Sequence, residues 1–173
     1  IFVEQGKIAD KETIINQCNN QLKNPYGLNK NEWAYQPIER KVLVEKLLRN
    51  EKGQIPYDYK FFIINGECRL IEVDFDRFSG HKRSLYDKDW NYLDVEYEYK
   101  QGPKVEKPDN FDMMLEYSKV LSQDFDYIRV DLYEISGHIY FGELTHYPES
   151  GSGEFTPKSF DFTLGKYWEL EPE

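Results

Sequence analysis

The sequence predicts an α+β fold in which antiparallel hairpins and a few packed helices alternate along the chain. Two segments rich in Phe, Ile, Val and Tyr, residues 58–78 and 127–147, each contain a dipeptide typical of a tight hairpin turn. Apolar residues recur at helical spacing in other segments, and no internal repeat is present. Antiparallel pairs are therefore expected to dominate the sheet.

The N-terminal part of the chain is predicted to contain a helix and then a buried strand. Asp10 can cap a helix over residues 11–23, and Pro25 provides the stop signal. The run VLVEKLL, residues 42–48, is short and apolar with a single acid, which is typical of a buried strand. Residues 49–56 are polar, so the composition changes there and a domain boundary is expected.

The segment 58–78 is predicted to form a hairpin that turns at Asn65-Gly66, the strongest short-range hairpin signal. A two-residue turn pairs Ile64 with Glu67, and counting outward sorts the charged side chains by face. Asp58, Lys60 and Arg77 then share one face, whereas Glu72, Asp74 and Asp76 lie on the other. Two cations beside an acid suit a nucleotide phosphate chain, and an exposed ion pair is the alternative interpretation.

A helix over residues 111–123, a second hairpin within 127–147 and a C-terminal helix over 158–168 complete the predicted elements. The second hairpin is expected to turn near Ser136-Gly137. Residues 79–107 are mixed and charged, and no element is assigned there.

The second hairpin carries a candidate metal site. Arg129 and Asp131 project to the same face by alternation, and Glu143 lies on the returning strand. Two carboxylates on neighbouring strands can hold Mg²⁺, although acids on strands are also commonly solvent-facing. For Asp131 to face Glu143, we expect an odd-length turn that is centred on Gly137 or carries a glycine bulge.

Composition excludes several classes of function. The 173 residues include 22 Lys or Arg and 32 Asp or Glu, and the resulting net charge of −10 repels nucleic acid. There is no unbroken apolar run near the ~20 residues that a membrane span needs. Cys18 and Cys68 lie outside any CxxC spacing, which favours free thiols over a disulfide framework or zinc site. We therefore expect a cytoplasmic protein without a nucleic-acid partner or a membrane span.

Taken together, the motifs resemble the ATP-grasp superfamily. The matching segments occur in the same order with compatible spacing: VLVEKLL, DYKFFIINGE, a distal Arg77 with HKRS, and RVDLYEISGHIYFGELTHYP. The segments DFDRF, HKRSLYD and IYFGELTHYP are most similar to the TupA-like ATP-grasp family, which is associated with bacterial surface polysaccharide and teichuronopeptide biosynthesis. The resemblance extends from Asn31 onward and implies an ATP-grasp fold, mainly its C-terminal lobe with the end of the N-terminal lobe.

The resemblance implies a set of residues that bind ATP. Glu45 would accept a hydrogen bond from the adenine amino group, while backbone groups of Lys46 and Leu48 would read the purine edge at a hinge between two lobes. Asp58 would face the ribose hydroxyls, and Lys60 would face the phosphates.

The resemblance also implies metal-binding and catalytic residues. Asp131 and Glu143 would hold Mg²⁺, with Thr145 at the position where many superfamily members have Asn. Arg129 would stabilise the charged acyl phosphate or the tetrahedral intermediate. Further cations would contact the phosphates or the acyl substrate: Arg77, Lys82 and Arg83.

The implied activity is that of an ATP- and Mg²⁺-dependent carboxylate–amine ligase acting on a small acidic sugar or amino acid. Residues 1–48 would be the tail of the first lobe with the hinge strand, and residues 49–173 the second lobe. The superfamily's glycine-rich phosphate loop and nucleotide-contacting lysine are expected upstream of residue 1, so an upstream lobe is implied and this chain alone is expected to be inactive. A non-catalytic nucleotide-binding or protein-interaction module of a glycosyltransferase or polysaccharide system is the alternative.

Overall fold

The computed structural model of the chain describes Val3, residues 10–75 and residues 80–169. The chain divides into two compact units, Ile1–Leu48 and Arg49–Glu173. The assignment of these units to the two lobes of an ATP-grasp fold stays a prediction. Within the described residues, no helix is long and apolar enough to cross a membrane.

The first unit contains the predicted N-terminal helix, α1, which spans Lys11–Lys23. The Asp10 carboxylate accepts hydrogen bonds from the backbone N–H groups of Glu12 and Thr13 at 3.1 and 3.3 Å. These bonds satisfy donors that the first turn of a helix otherwise leaves unpaired. The Thr13 hydroxyl also donates to Asp10, and together these bonds hold the pKa of Asp10 below its ordinary value.

The strand expected over residues 42–48 is not formed, so that prediction is wrong. Residues 39–50, all of which the structure describes, form neither helix nor strand. Leu43 and Val44 are 83% and 93% exposed, and Glu45 is exposed as well. An apolar run becomes a buried strand only where neighbouring strands pair with it and a second layer covers it, which sequence composition alone does not guarantee.

The second unit is built on an antiparallel sheet, which confirms the predicted α+β class. In the part of the chain that the structure describes, six strands form this sheet in the order β4-β3-β2-β1-β6-β7, and a further pair is formed by β5 and β8. The strands are β1 (Asp58–Ile64), β2 (Glu67–Phe75), β3 (Lys82–Tyr86), β4 (Tyr92–Leu93), β5 (Glu96–Tyr97), β6 (Tyr127–Ile135), β7 (His138–Thr145) and β8 (Phe155–Thr156). The predicted helices are present as α2 (Phe111–Leu121) and α3 (Ser159–Gly165).

Both faces of the sheet are buried, but by different elements. Helix α2 covers one face, where its Phe111 and Met114 join a core that includes Phe61 of β1. The opposite face carries a second apolar cluster in which the rings of Tyr97 and Phe155 stack with centroids 4.3 Å apart. The buried charged side chains of the strands lie on this second face, beside the apolar cluster.

The first hairpin turns at Asn65-Gly66 as predicted, but its register differs from the predicted one. Both turn residues have positive φ, 48° and 75°, and Ile64 pairs with Glu67. A bulge then intervenes, because Ile63 pairs with Cys68 whereas Phe62 pairs with Leu70. From there to the end of the ladder every pairing is shifted by one residue.

This shift overturns the predicted distribution of charges. Lys60 stands opposite Glu72, and Asp58 stands opposite Asp74, so these four side chains share a face instead of lying on two. Asp76 and Arg77, which the same prediction sorted by face, lie outside the described residues.

The second hairpin turns at Ser136-Gly137 through a two-residue turn, so the expectation of an odd-length turn is wrong. The pairing register changes inside the β6–β7 ladder instead. Leu132 pairs with Phe141 and Val130 with Leu144, which leaves two β7 residues, Gly142 and Glu143, facing the single residue Asp131. The bulge brings Glu143 beside Asp131, which is the juxtaposition that the odd turn was expected to produce.

Candidate functional site

Charged side chains from four neighbouring strands form a buried polar band on the second face of the sheet. They are only 0–7% exposed, and burying a charge is costly unless an opposite charge or a hydrogen bond compensates for it. The band consists of Asp58, Lys60, Glu72, Asp74, Arg83, Arg129 and Asp131. Edge strand β7 extends it toward solvent with Glu143 and Thr145.

Lys60 lies at the centre of the band and contacts two carboxylates. Its Nζ is 2.6 Å from Asp58 Oδ2 and donates a 2.5 Å hydrogen bond to Asp131 Oδ2. Burial by itself would lower the pKa of Lys60, but the charges of Asp131 and Asp58 outweigh burial and raise it above its ordinary value. The predicted ribose and phosphate ligands Asp58 and Lys60 are therefore brought together, each engaged with the other.

Arg129 brings the predicted metal ligands together. Its Nε and Nη2 donate to the two oxygens of Asp131 at 2.7 and 2.8 Å, in the bidentate geometry that a guanidinium and a carboxylate favour. The same Nη2 donates to Glu143 Oε1 at 2.9 Å and to Thr145 Oγ1 at 3.0 Å. Burial would lower the pKa of Arg129, and the adjacent carboxylate of Asp131 reverses that effect and raises it.

The oxygen donors around Arg129 fit a hard divalent cation that also binds phosphate. Mg²⁺ is usually held by one or two carboxylates together with waters and substrate phosphates, and Asp131 with Glu143 supplies that number. Thr145 adds a neutral hydroxyl, which donates to Glu143 Oε1 at 2.8 Å. Among the residues that the structure describes, no group of three or more His, Cys, Asp and Glu side chains forms an all-protein metal cage.

The predicted catalytic cations outside β6 lie in different environments. Arg83 is enclosed by acids: Nε lies 2.9 Å from Asp74 Oδ1, and Nη2 lies 2.9 Å from Glu72 Oε1 and 3.1 Å from Glu149 Oε1. Burial opposes the charged guanidinium, but these carboxylates outweigh it and raise the pKa of Arg83. Lys82 is exposed to solvent. Arg77 lies outside the described residues.

Sequence reasoning missed the acids and the histidine around Arg83. Glu72 is fully buried, and neither of its oxygens accepts a hydrogen bond from the residues that the structure describes, although Oε1 lies 2.9 Å from Arg83 Nη2. Burial raises the pKa of Glu72 despite the nearby cations. His81 Nε2 lies 2.9 Å from Asp74 Oδ1, and its ring packs on Tyr99 with centroids 3.8 Å apart. The alternating acids of β2 were visible in the sequence, but the bulge that turns them toward Lys60 was not.

The predicted adenine-binding residues all belong to the first unit, Ile1–Leu48. Glu45 and Lys46 are exposed, and Leu48 is half-buried. They lie in the irregular segment 39–50, so their backbone groups are not used in a strand ladder. Their role in reading adenine stays a prediction.

Comparison with known proteins assigns the chain to a family. Neither a curated protein nor a solved structure matches the chain. Residues 2–169 match the protein family described as TupA-like ATPgrasp, which covers nearly the whole sequence. The six-stranded antiparallel sheet and the three described helices are consistent with part of an ATP-grasp fold. The chain therefore belongs to the TupA-like ATP-grasp family.

Proposed function

We propose that the chain is the nucleotide- and metal-binding part of an ATP- and Mg²⁺-dependent carboxylate–amine ligase of the bacterial cytoplasm, in surface polysaccharide biosynthesis. The family supports an ATP-grasp domain, whereas the ligase chemistry is our inference from the site and its biological setting is our inference from the family resemblance. The substrates would be a small acidic sugar or amino acid and an amine. In the reaction, the γ-phosphoryl group of ATP passes to the carboxylate, the amine attacks the acyl phosphate, and phosphate leaves.

One observation carries this proposal: cations and oxygen donors suited to a metal–phosphate complex converge on one face of three adjacent strands. Lys60 on β1, Arg129 and Asp131 on β6, and Glu143 on β7 are joined by contacts of 2.5 to 2.9 Å. Phosphoryl transfer relies on positioned positive charge more than on covalent chemistry, and this group supplies such charge at fixed positions.

The residues of the band have distinct proposed roles. Lys60 and Arg129 neutralise phosphate oxygens, and Arg129 additionally stabilises the negative charge that develops on the acyl group. Asp131 and Glu143 hold Mg²⁺, which when bound supplies Lewis-acid stabilisation of the phosphate charge. Arg83 acts as a positioning residue, because its guanidinium fixes Asp74 and Glu72 rather than facing solvent.

The size of the band is compatible with an extended ligand. It crosses five strands from Arg83 to Glu143, and four strand spacings of about 4.8 Å give roughly 19 Å. Glu143 is the exposed end, with 62% of its side chain accessible, whereas the Lys60 side chain is only 4% exposed. A phosphate reaches Lys60 only when the Lys60–Asp131 ion pair separates, so ligand binding is expected to rearrange the band.

The test is calorimetric binding of ATP and of AMP with Mg²⁺ by the full chain, followed by phosphate release with a panel of acidic sugars, amino acids and amines. Lys60→Met is expected to weaken ATP binding far more than AMP binding. Lys119→Met is the matched control, because Lys119 lies on α2 and is 63% exposed.

Phosphate release that requires both an acid and an amine supports the ligase. Nucleotide binding without such release, in this chain and in a chain extended upstream, favours a non-catalytic nucleotide-binding module. Absence of nucleotide binding by both overturns the proposal.

A further inference from the structure

Arg129 occupies the point at which the oxygen donors of the proposed metal site converge. Its Nη2 atom is within 3.0 Å of oxygens from Asp131, Glu143 and Thr145. These are the same three side chains that the family resemblance assigns to Mg²⁺. Both Asp131 oxygens are taken, since Oδ1 accepts from Arg129 and Oδ2 accepts from Arg129 and Lys60.

We propose that Arg129 is an internal cation that holds this site closed to divalent ions, and that a metal enters only when a phosphate group draws the guanidinium away. The inference rests on the proposed function, because it concerns the same metal and phosphate. It assigns Arg129 a second role, which makes metal binding and nucleotide binding interdependent.

The charge around the site supports this exclusion. The carboxylates of Asp58, Asp131 and Glu143 face the cations Lys60 and Arg129, which leaves one net negative charge. A divalent ion added without displacing either cation would reverse that charge to one net positive. Close like charges in a poorly solvated site repel strongly, so a metal alone is disfavoured.

A phosphate group relieves the repulsion between the metal and the two cations in two ways. Its negative charge offsets the added metal, and its oxygens offer the planar guanidinium a bidentate partner equivalent to a carboxylate. Lys60 keeps its 2.6 Å contact with Asp58 in this exchange, so it does not lose all its partners when Asp131 turns to the metal. Glu143, at the solvent edge of the site, is the entry point for the ion.

The first test measures Mn²⁺ binding by electron paramagnetic resonance without nucleotide. We expect wild type and Arg129→Lys to bind Mn²⁺ weakly, because both keep a cation in the site. Arg129→Met is expected to bind about tenfold or more tightly, because the competing charge is gone. Adding Glu143→Gln to Arg129→Met should abolish the gain in Mn²⁺ affinity. Binding by Arg129→Met that is no tighter than that of wild type overturns the proposal.

The second test uses the wild-type protein and so does not depend on the folding of a buried-site variant. The Nε–H signal of Arg129 in ¹H–¹⁵N spectra reports its hydrogen bond to Asp131. We expect this signal to stay unchanged with Mg²⁺ alone and to shift with Mg²⁺ plus tripolyphosphate. An equal shift with Mg²⁺ alone, or no shift under either condition, overturns the proposal.

The two proposals fail in different ways. If Arg129→Met binds Mn²⁺ more tightly and tripolyphosphate shifts the Arg129 signal, but no phosphate release depends on an acid and an amine, the inference about Arg129 stands and the ligase assignment fails. If nucleotide binds and turnover occurs while Mn²⁺ affinity is insensitive to Arg129, the reverse holds.

Discussion

Asp131 stands directly across the β1–β6 ladder from Lys60, and its Oδ2 accepts a 2.5 Å hydrogen bond from the Lys60 ammonium. The side chains are 2% and 4% exposed, so this ion pair is shielded from the solvent that weakens surface pairs. The pair links the first hairpin to the second. It also places the cation proposed to bind phosphate in direct contact with the acid proposed to bind metal.

The first prediction concerns the loss of this central cation. Lys60→Met leaves the buried carboxylates of Asp58 and Asp131 without their shared partner, and the free energy of unfolding should fall by about 3–5 kcal/mol. Adding Asp131→Asn should recover part of the loss, because fewer buried charges remain uncompensated. Urea unfolding at neutral pH measures both values. A loss below about 1 kcal/mol for Lys60→Met would show that the pair is readily replaced by water.

The second prediction is a pH dependence that comes from Glu72. Burial raises the pKa of Glu72 from 4.5 to about 8, so the folded protein keeps a proton there that the unfolded chain has already released. The free energy of unfolding therefore falls as pH rises between these values, because the folded state binds more protons. Glu72→Gln removes this group. As pH rises, the free energy of unfolding of the variant minus that of wild type should therefore increase by up to about 1.4 kcal/mol per pH unit.

Chemical denaturation between pH 5 and 8 measures this difference. Glu67→Gln, on the same strand with a 52% exposed side chain, controls for the loss of one carboxylate. A stability difference between Glu72→Gln and wild type that does not change with pH contradicts the assignment of a protonated Glu72.

The turns and the amphipathic helices could be predicted from the sequence because local chemistry determines them. Asn65-Gly66 and Ser136-Gly137 both adopt positive φ, a conformation that few other residue pairs accept at low cost. Helix α1 begins after Asp10, the residue that sequence identified as its cap. These features need no knowledge of distant partners.

The face on which each charged residue lies could not be predicted, because one unpaired residue reverses it. Arg69 is the extra residue of β2, and beyond it Glu72 and Asp74 turn toward Lys60 and Asp58. Strand β3, which carries Arg83, was missed because it is only five residues long and is buried on both faces, so it lacks a clear alternation. The apolar run at 42–48 was predicted to be a buried strand but is not one, because an apolar pattern does not show whether other elements cover it.

The third prediction tests the bulge that places Glu143 beside Asp131. A Cβ on Gly142 would lie 2.9 Å from the Tyr133 ring and 3.0 Å from the Asp131 carbonyl oxygen. Gly142→Ala should therefore cost about 1–3 kcal/mol and weaken metal-dependent ATP binding, because the ladder must shift. Gly165→Ala is the control, since a Cβ added there would meet no atom of the described residues within 4 Å apart from its chain neighbours and its own helix backbone. Equal effects of the two substitutions on thermal unfolding would show that the close approach is unimportant.

The fourth prediction separates two neighbouring cations that the sequence grouped together. Lys82 is exposed, so Lys82→Ala should change stability by no more than about 0.5 kcal/mol. Arg83→Met should cost about 3–5 kcal/mol, because the buried carboxylate of Asp74 loses the guanidinium that compensates its charge. Thermal unfolding distinguishes the two. A fall in ATP affinity for Lys82→Ala at unchanged stability would identify Lys82 as a direct ligand contact.

The last prediction addresses adenine recognition by Glu45. Because Glu45 is exposed, Glu45→Ala should leave the free energy of unfolding nearly unchanged, and any loss of affinity then reports a lost ligand contact. A hydrogen bond to a charged carboxylate contributes about 1.5–3 kcal/mol, which corresponds to about tenfold or more in ATP affinity. Tripolyphosphate lacks adenine, so its affinity should not change. Glu39→Ala is the matched control, because Glu39 lies in the same unit, is 78% exposed and pairs with Lys41 at 2.7 Å. Calorimetric titration of both ligands measures the effect. Glu45 would be excluded as the acceptor of the adenine amino hydrogen bond by equal losses of affinity for ATP and tripolyphosphate, or by equal losses in the two variants.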